Sequence, residues 1–291
     1  MSRNEERFGT QDANFGDSPA PAVAVGSEPG GTQNNTFNWT TPTEIVDLPS
    51  AGVFYPEGHP LHGKDTIEIK FMTAKEEDIL TSKALLRKGV AIDRMLESLF
   101  VDNRIKVQDL LIGDKNAVTV AARITGYGSE YETKVTCPSC GAALRHTFDL
   151  SEVENKNPEE EFLEYGIEGT PNGTFVVTLP MTKAVVECRL LTGADEAALM
   201  KISERKQKSK LNDSVLLESF KSFIVSVNGN SNMGMLSSFI MNMPARDSRF
   251  LRRAFAAMTP NVDMTQEVVC TECGTESELE IPLTADFFWP K

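Results

Sequence analysis

The sequence predicts an α+β fold made of two homologous units, each with a strand, several helices and a closing Cys-x-x-Cys hairpin. Two observations support this prediction. The motifs Cys137–Gly141 and Cys270–Gly274 share the pattern Cys-x-x-Cys-Gly, and alternating apolar and polar residues typical of a strand follow both. Similar segments also recur upstream of both motifs in the same order. We interpret the pattern as an internal duplication.

The upstream matches extend over most of each unit. The run from Ile67 to Thr73 matches the run from Val186 to Thr192, and both precede an acidic stretch that favours a helix start. Three further matches follow in the same order: Leu96–Leu99 with Leu217–Phe220, Asp114 with Asp247, and Cys137 with Cys270. The separation between matching residues changes most around Asn228–Asn232, a turn-forming tract. The alternative is that two unrelated segments share this pattern by chance.

The N-terminal residues 1–43 are rich in Gly, Pro, Ser, Asn and Asp and poor in branched apolar residues, which predicts a disordered tail. Its aromatic residues Phe37 and Trp39 are candidates for contact with a partner, or they mark the start of the folded part. Residues 44–66 are rich in Pro and Gly, which predicts an extended arm. Phe54 and Tyr55 in this arm are further candidates for partner contact.

The first unit is predicted at residues 67–150. A strand is expected from Ile67 to Met72, and a helix follows from Thr73, which forms a capping box with Glu76. Gly89 is the expected C-terminal cap of that helix. Three further helices are predicted: one containing Ile92–Leu99, one at Val107–Ile112 and one at Lys115–Ile124.

Residues 151–180 are predicted to be an acidic connector, with the glutamates of Ser151–Asn172 facing solvent. The stretch lacks the spaced ligands and central glycine of an EF-hand calcium loop. Residues 181–291 form the predicted second unit. Its expected helices are Ala194–Lys208, Asn212–Val227, Gly234–Met241 and Pro244–Met258.

Asp114 and Asp247 occupy matching positions, each near the start of a predicted helix. A pair of acidic residues is compatible with catalysis. However, a carboxylate at the start of a helix satisfies free backbone N–H groups and interacts favourably with the helix dipole. We therefore predict that both residues are helix caps.

The two cysteine pairs predict one tetrahedral zinc site with the ligands Cys137, Cys140, Cys270 and Cys273. A Zn²⁺ ion held by four thiolates has no open position, so the site would be structural, with one ion per chain. Dithiol redox chemistry is the alternative, but strand residues rather than a helix are predicted to follow each pair. His59, His62 or His146 could replace a thiolate. The fifth cysteine, Cys188, is expected to be a buried small apolar residue.

Composition narrows the classes of function. The net charge of −13 argues against a nucleic-acid-binding surface, and no apolar run approaches the roughly 18 residues of a membrane span. The N-terminus lacks the apolar segment of a signal peptide, so we expect an intracellular, reducing setting in which cysteines bind metal rather than form disulfides. No motif of a known catalytic class is present, and we predict that the protein is not an enzyme.

The C-terminal aromatic residues Phe287, Phe288 and Trp289 follow the last predicted strand directly. Chain ends usually fray, so these residues must pack either on the protein itself or on a partner. We expect them to pack on the strands of the protein's own Cys-x-x-Cys hairpins.

Three segments resemble the T4-type phage baseplate hub assembly protein family: Leu48–Pro56, Phe71–Leu80 and Pro282–Pro290. The resemblance extends from about Thr41 to the C-terminus. It implies a non-enzymatic protein that helps to assemble the baseplate hub of a contractile tail, with hub proteins as partners. It also implies a location in the host cytoplasm during assembly or in the virion baseplate.

Three functional alternatives stay open at this point. The protein could be a permanent minor component of the baseplate rather than an assembly chaperone. A zinc-ribbon regulator that binds nucleic acid and a thiol oxidoreductase are the alternatives from other classes. We expect a monomer or small homo-oligomer without membrane or nucleic-acid partners, because a strongly charged surface favours solubility.

Overall fold

The computed structural model describes residues 40–156, 159–209, 215–283 and 285–289. The fold is α+β, as predicted. The strands are β1 (Thr43–Asp47), β2 (Thr66–Lys70), β3 (Glu130–Thr136), β4 (Ala143–Asp149), β5 (Glu154–Asn155), β6 (Glu168–Gly169), β7 (Thr174–Thr178), β8 (Val185–Arg189), β9 (Ile224–Val227), β10 (Val262–Asp263), β11 (Thr265–Val269) and β12 (Glu276–Glu280). The helices are α1 (Ala74–Thr81), α2 (Lys83–Lys88), α3 (Ala91–Leu99), α4 (Ile112–Tyr127), α5 (Glu159–Tyr165), α6 (Gly193–Ser209), α7 (Val215–Phe223), α8 (Met233–Asn242) and α9 (Ala245–Met258).

Every strand pairing among the described residues is antiparallel. Four two-stranded pairs form, β1 with β2, β3 with β4, β5 with β10, and β11 with β12, and the largest sheet has the order β6-β7-β8-β9. One hydrophobic core underlies these sheets and reaches from Val46 to Phe288. We call residues 41–150 the N-terminal half and residues 174–289 the C-terminal half.

The start of the first helix follows the prediction. The side chain of Thr73 accepts a hydrogen bond from the Lys75 backbone N–H, and Glu76 Oε2 accepts one from the Thr73 N–H at 3.1 Å, so the capping box is present. The predicted single helix is nevertheless two helices, because Ser82 is extended (ψ 107°) and separates α1 from α2. Gly89 caps α2 with a left-handed φ of 66°, a conformation that glycine adopts without strain.

Three helix predictions need correction in their extent. The segment Val107–Ile112 contains only a 3-10 turn at Val107–Asp109. The predicted helix Lys115–Ile124 begins earlier and ends later, as α4. The predicted helix Asn212–Val227 ends at Phe223, and Ile224–Val227 forms β9 on the edge of β8. Its β-branched residues favour a strand once a partner strand is available.

The predicted acidic connector contains more structure than expected. Helix α5 lies within it, and Phe162 and Tyr165 of this helix are half-buried. The Phe162 ring packs on Phe175 with centroids 5.6 Å apart, and the Tyr165 ring packs on Phe250 at the same separation. The segment is therefore not wholly solvated, since its aromatic residues join the core.

The prediction that Asp114 and Asp247 cap helices is wrong, although both lie in a first helical turn. The Asp114 carboxylate accepts hydrogen bonds from the Ser50 N–H (3.0 Å), the Ser50 hydroxyl (2.6 Å) and the Tyr55 hydroxyl (2.7 Å). The Asp247 carboxylate accepts from the backbone N–H groups of Met181 (2.8 Å) and Thr182 (2.9 Å). Each aspartate therefore holds a distant turn, one between β1 and β2 and one between β7 and β8.

Candidate metal centre

Two hairpins carry the cysteine pairs, and we call them the first knuckle (β3, residues 137–142 and β4) and the second knuckle (β11, residues 270–275 and β12). In the first, the Cys137 N–H donates to the Ala142 carbonyl and the Gly141 N–H donates to the Cys137 carbonyl, both at 2.9 Å. Gly141 has a φ of 74°, which an L side chain rarely adopts. This tight turn directs both thiols of the pair to one side.

The second knuckle repeats these contacts. The Cys270 N–H donates to the Thr275 carbonyl at 3.0 Å, and the Gly274 N–H donates to the Cys270 carbonyl at 2.9 Å. Gly274 has a φ of 69°. The two knuckles therefore present their thiols with the same local geometry.

The structure brings all four predicted ligands together. The Sγ atoms of Cys137, Cys140, Cys270 and Cys273 all lie within 4.8 Å of one another. Cys137 Sγ is 3.8 Å from Cys273 Sγ, and Cys140 Sγ is 3.7 Å from Cys270 Sγ. Each close contact thus joins one thiol of the first knuckle to one of the second.

These separations fit a single tetrahedral ion. With a metal–sulfur distance of about 2.3 Å, neighbouring ligands of a regular tetrahedron lie about 3.8 Å apart. The first cysteine of each pair is buried and the second is exposed, so the cluster lies at the edge of the core. The arrangement can hold a metal ion without large movement of either knuckle.

Contacts outside the cysteines also hold the knuckles together. The Asp149 N–H donates to Gln266 Oε1 at 3.2 Å, and Gln266 Nε2 donates to the Asp149 carbonyl at 2.5 Å. The Tyr131 hydroxyl donates to the Pro282 carbonyl at 3.3 Å. Sequence reasoning did not find Gln266, because a glutamine in an alternating strand gives no sign of its partner 117 positions away.

The thiol pKa values differ across the cluster. The Thr275 hydroxyl, with the Thr275 backbone N–H, lowers the pKa of Cys273 to about 6. For Cys140 the Ala142 N–H favours the thiolate, but the neighbouring thiols, Cys273 foremost, together with burial raise its pKa to about 12. The thiols therefore differ in how readily they lose a proton, and a bound cation would favour the thiolate form of each.

A buried guanidinium fixes the chain end beside the knuckles. Arg123 donates to the carbonyl oxygens of Phe287 (2.8 Å), Gly128 (2.7 Å) and Glu130 (3.1 Å). The Phe287 ring packs edge-on against Tyr131, with centroids 5.0 Å apart. Phe287 and Phe288 are both buried, so the C-terminal aromatic residues pack on the protein itself, as predicted.

The other predicted site residues lie away from the cluster. Cys188 is fully buried in β8, and burial raises the pKa of its thiol to about 12, in agreement with a structural role. Tyr55 is 4% exposed, and the Phe54 ring packs on the Phe175 ring with centroids 5.2 Å apart. Both arm residues therefore pack against other residues of this chain. Phe37 and Trp39 lie outside the described residues.

The histidines do not join the cysteine cluster, whose members in the described chain are all cysteines. Tyr55 stacks on His59 with ring centroids 4.4 Å apart, and His146 packs edge-on against Phe148 at 4.6 Å. Strands rather than helices follow both cysteine pairs. The helix N-terminus that activates a redox cysteine is therefore missing at both pairs.

The model of the family described as T4 bacteriophage base plate protein matches residues 53–289. The chain belongs to this family. The match confirms the resemblance inferred from the separated motifs, and it associates this baseplate protein with other baseplate components. Both knuckles of the baseplate protein lie inside the matched span. No curated protein and no solved structure matches the chain.

Among the described residues of the baseplate protein, no helix combines the length and the apolar character that crossing a bilayer requires. The longest, α6, begins with the acidic residues Asp195 and Glu196 and has basic residues further along.

Proposed function

We propose that the protein is a non-enzymatic baseplate factor whose two halves are joined by one structural Zn²⁺ ion. The observation that carries the metal assignment is the 3.7 and 3.8 Å contact of thiols across the two knuckles. Four thiolates without oxygen ligands favour zinc over magnesium or calcium, which prefer oxygen. A four-thiolate site leaves no position for water or substrate, so its role is to stabilise the fold.

The ion would act as a link between parts of the chain that are far apart in sequence. Cys140 and Cys270 are separated by 130 positions. The free energy of metal binding at such a site contributes directly to the free energy of folding. In small zinc peptides the apparent binding free energy is about 10–16 kcal/mol. Elemental analysis of the purified protein tests the proposal. One equivalent of zinc is expected, and a folded sample free of metal would contradict it.

We infer further that the two halves arose by duplication of one unit, and several matched contacts support this. Leu48-Pro49 and Leu179-Pro180 begin the turns that the two buried aspartates hold. Thr192 donates through its N–H and hydroxyl to Asp195, as Thr73 does to Glu76. The knuckles repeat the same turn hydrogen bonds.

The halves also face each other through paired contacts. Ile112 N–H donates to the Leu191 carbonyl at 3.1 Å, and the Gly193 N–H donates to the Leu110 carbonyl at 2.9 Å. Lys115 Nζ lies 2.8 Å from both Asp93 of the N-terminal half and Glu196 of the C-terminal half. These contacts join the two halves independently of the cysteines.

We propose that the function is to assist assembly of the baseplate hub as a chaperone. Family membership and the net charge of −13, which favours a soluble free form, support this role. A permanent place in the baseplate is the alternative. Co-purification from infected cells tests the hub contact: a tagged copy should recover hub subunits, and recovery of none would contradict it.

The composition does not favour the alternative of a nucleic-acid regulator, because the chain carries 42 acidic residues against 29 Lys and Arg. Filter binding to duplex DNA at low salt separates the two proposals. We expect no retention, and salt-sensitive retention would favour the regulator.

A further inference from the structure

Strand β1 pairs with β2 on one side and, among the described residues, with no strand on the other. The Leu48 N–H donates to the Asp65 carbonyl at 2.7 Å, and the Phe71 N–H donates to the Pro42 carbonyl at 2.9 Å. In this antiparallel register, residues 42, 44, 46 and 48 direct their backbone groups toward β2. The N–H and C=O groups of Thr43, Ile45 and Asp47 therefore point away from it, and no described residue pairs with them.

A groove runs beside this edge, with a volume of about 400 Å³. Its floor is the apolar face of α4, which contributes Ala117, Val120, Ala121 and Ile124. The far wall is the segment from Leu150 to Asn155. Ile45 is 70% exposed at the rim, an unusual position for a large apolar side chain on an unpaired strand.

The charge of the groove is one-sided. Among the described residues, Glu44, Asp47 and Glu154 line it, and no Lys or Arg does. Glu44 Oε2 is buried and has no hydrogen-bond donor among the described residues. An unpaired carboxylate oxygen in a buried position is costly unless a donor reaches it.

We propose that this groove binds an extended segment of another protein, which pairs with β1 as an added strand and carries a Lys or Arg that reaches Glu44. The backbone of the segment would bond to the free groups of Thr43, Ile45 and Asp47. Its alternate side chains would cover the apolar floor on α4. A second copy of β1 fits poorly, because it would bring the same acidic residues to the groove.

Selection from a library of random eight-residue peptides on the full-length protein tests the proposal. Selected peptides should alternate apolar residues with other residues and include Lys or Arg. Selected sequences without this alternation or without a basic residue would overturn the proposal. Binding of one selected peptide is then measured by fluorescence anisotropy against three variants.

Ile45→Pro removes the outward N–H and blocks pairing, yet an edge strand tolerates proline where the N–H faces away from the sheet. We expect at least a tenfold loss of affinity with an unchanged melting temperature. Glu44→Gln should weaken binding and reduce its salt dependence. Ile45→Thr keeps the N–H and is the matched control, with a loss smaller than that of Ile45→Pro.

Equal affinity of the wild type and Ile45→Pro would overturn the proposal, because binding would then lie elsewhere. If Ile45→Pro is destabilised, Glu44→Gln decides in its place, and unchanged affinity and salt dependence would overturn it. A wild-type dimer that Ile45→Pro converts to a monomer would also overturn it, in favour of a second copy at this edge. These results do not depend on the zinc content or on whether the protein leaves the finished particle.

Discussion

At the scale of single residues, two matching aspartates differ in the donors that surround them. Asp247 accepts from two backbone N–H groups, which cannot rotate to become acceptors, and the Thr182 hydroxyl also favours its ionised form. Asp114 accepts from two hydroxyls as well as one N–H, and hydroxyls can reverse their role. Burial opposes ionisation of both: it raises the pKa of Asp114, whereas the Met181 and Thr182 N–H groups outweigh it and lower the pKa of Asp247.

Asp247→Asn should therefore cost more stability than Asp114→Asn. The amide NH₂ of an asparagine at 247 would face a backbone N–H, with a cost of about 1–3 kcal/mol. An asparagine at 114 resembles the protonated acid that burial favours and can donate to Ser50 or Tyr55. Urea unfolding at neutral pH measures both values, and an equal or reversed order would contradict the difference in donors.

The same pair predicts a pH dependence of stability. A folded-state pKa below the unfolded value gives stability that is present above the unfolded pKa and is lost as the pH falls through the folded pKa. The gap in unfolding free energy between the wild type and Asp247→Asn should therefore shrink as the pH falls below about 4. A gap that is constant down to the lowest pH at which the protein folds would show that ionisation of Asp247 contributes nothing.

The cysteines predict a second contrast at this scale. Cys270→Ser should release the metal and lower the melting temperature sharply, because Cys270 Sγ lies 3.7 Å from Cys140 Sγ in the cluster. Cys188→Ala should keep the metal and cost only about 1 kcal/mol, since it removes one buried sulfur. Elemental analysis with thermal unfolding of both variants is the measurement. Equal loss of metal in the two would contradict the assignment of ligands.

At the scale of elements, the C-terminal 3-10 turn Ala285–Phe288 closes the region between the knuckles and α4. Phe287 and Phe288 are each 1% exposed, and their rings pack edge-on with centroids 5.4 Å apart. The Phe287 carbonyl accepts a hydrogen bond from the buried Arg123 side chain. The turn therefore contributes both apolar burial and one of the three carbonyl acceptors of a buried cation.

Deleting the residues after Ala285 should destabilise the isolated protein by about 3 kcal/mol or more, given the usual cost of removing a buried Phe. Trp289→Ala is the milder control, because Trp289 is only half-buried. Chemical denaturation measures the effect. An unchanged midpoint together with lost partner binding would assign the aromatic residues to an interface instead.

Prediction of the elements from sequence succeeded where the signal is local. The capping box of Thr73 and Glu76 and the glycine at the end of α2 depend on neighbours within a few positions. It failed for Ile224–Val227, where the free edge of β8 decides between helix and strand. It also failed for α5. The many acidic residues of that segment favoured a solvated connector, whereas two aromatic side chains in it join the core.

At the scale of the whole molecule, the metal would join two halves that already share hydrogen bonds and an ion-pair cluster around Lys115. Removal of the metal by a chelator should therefore lower the melting temperature without breaking every contact between the halves. The Gln266 contacts with Asp149 would persist, since they do not involve sulfur. Re-addition of Zn²⁺ should restore the melting temperature, and a chelated sample with an unchanged melting temperature would contradict the structural role of the ion.

The chaperone proposal predicts that the protein is scarce or absent in finished particles and that the isolated protein is a monomer or small oligomer. The physical basis is the net charge of −13, which opposes self-association. Quantitative mass spectrometry of purified virions is the measurement. A fixed copy number that matches the tail symmetry would make the protein a permanent baseplate component.

The sequence by itself determined the α+β class, the two cysteine pairs and the family, because each depends on residue types within short segments. Only the tertiary structure decided how distant groups pair. It showed that the knuckles meet, that Asp114 and Asp247 hold remote turns instead of capping their own helices, and that one edge of β1 has no partner among the described residues. The physical reason is that a carboxylate or a strand edge bonds to whatever donor the fold brings near, and local sequence does not encode that donor.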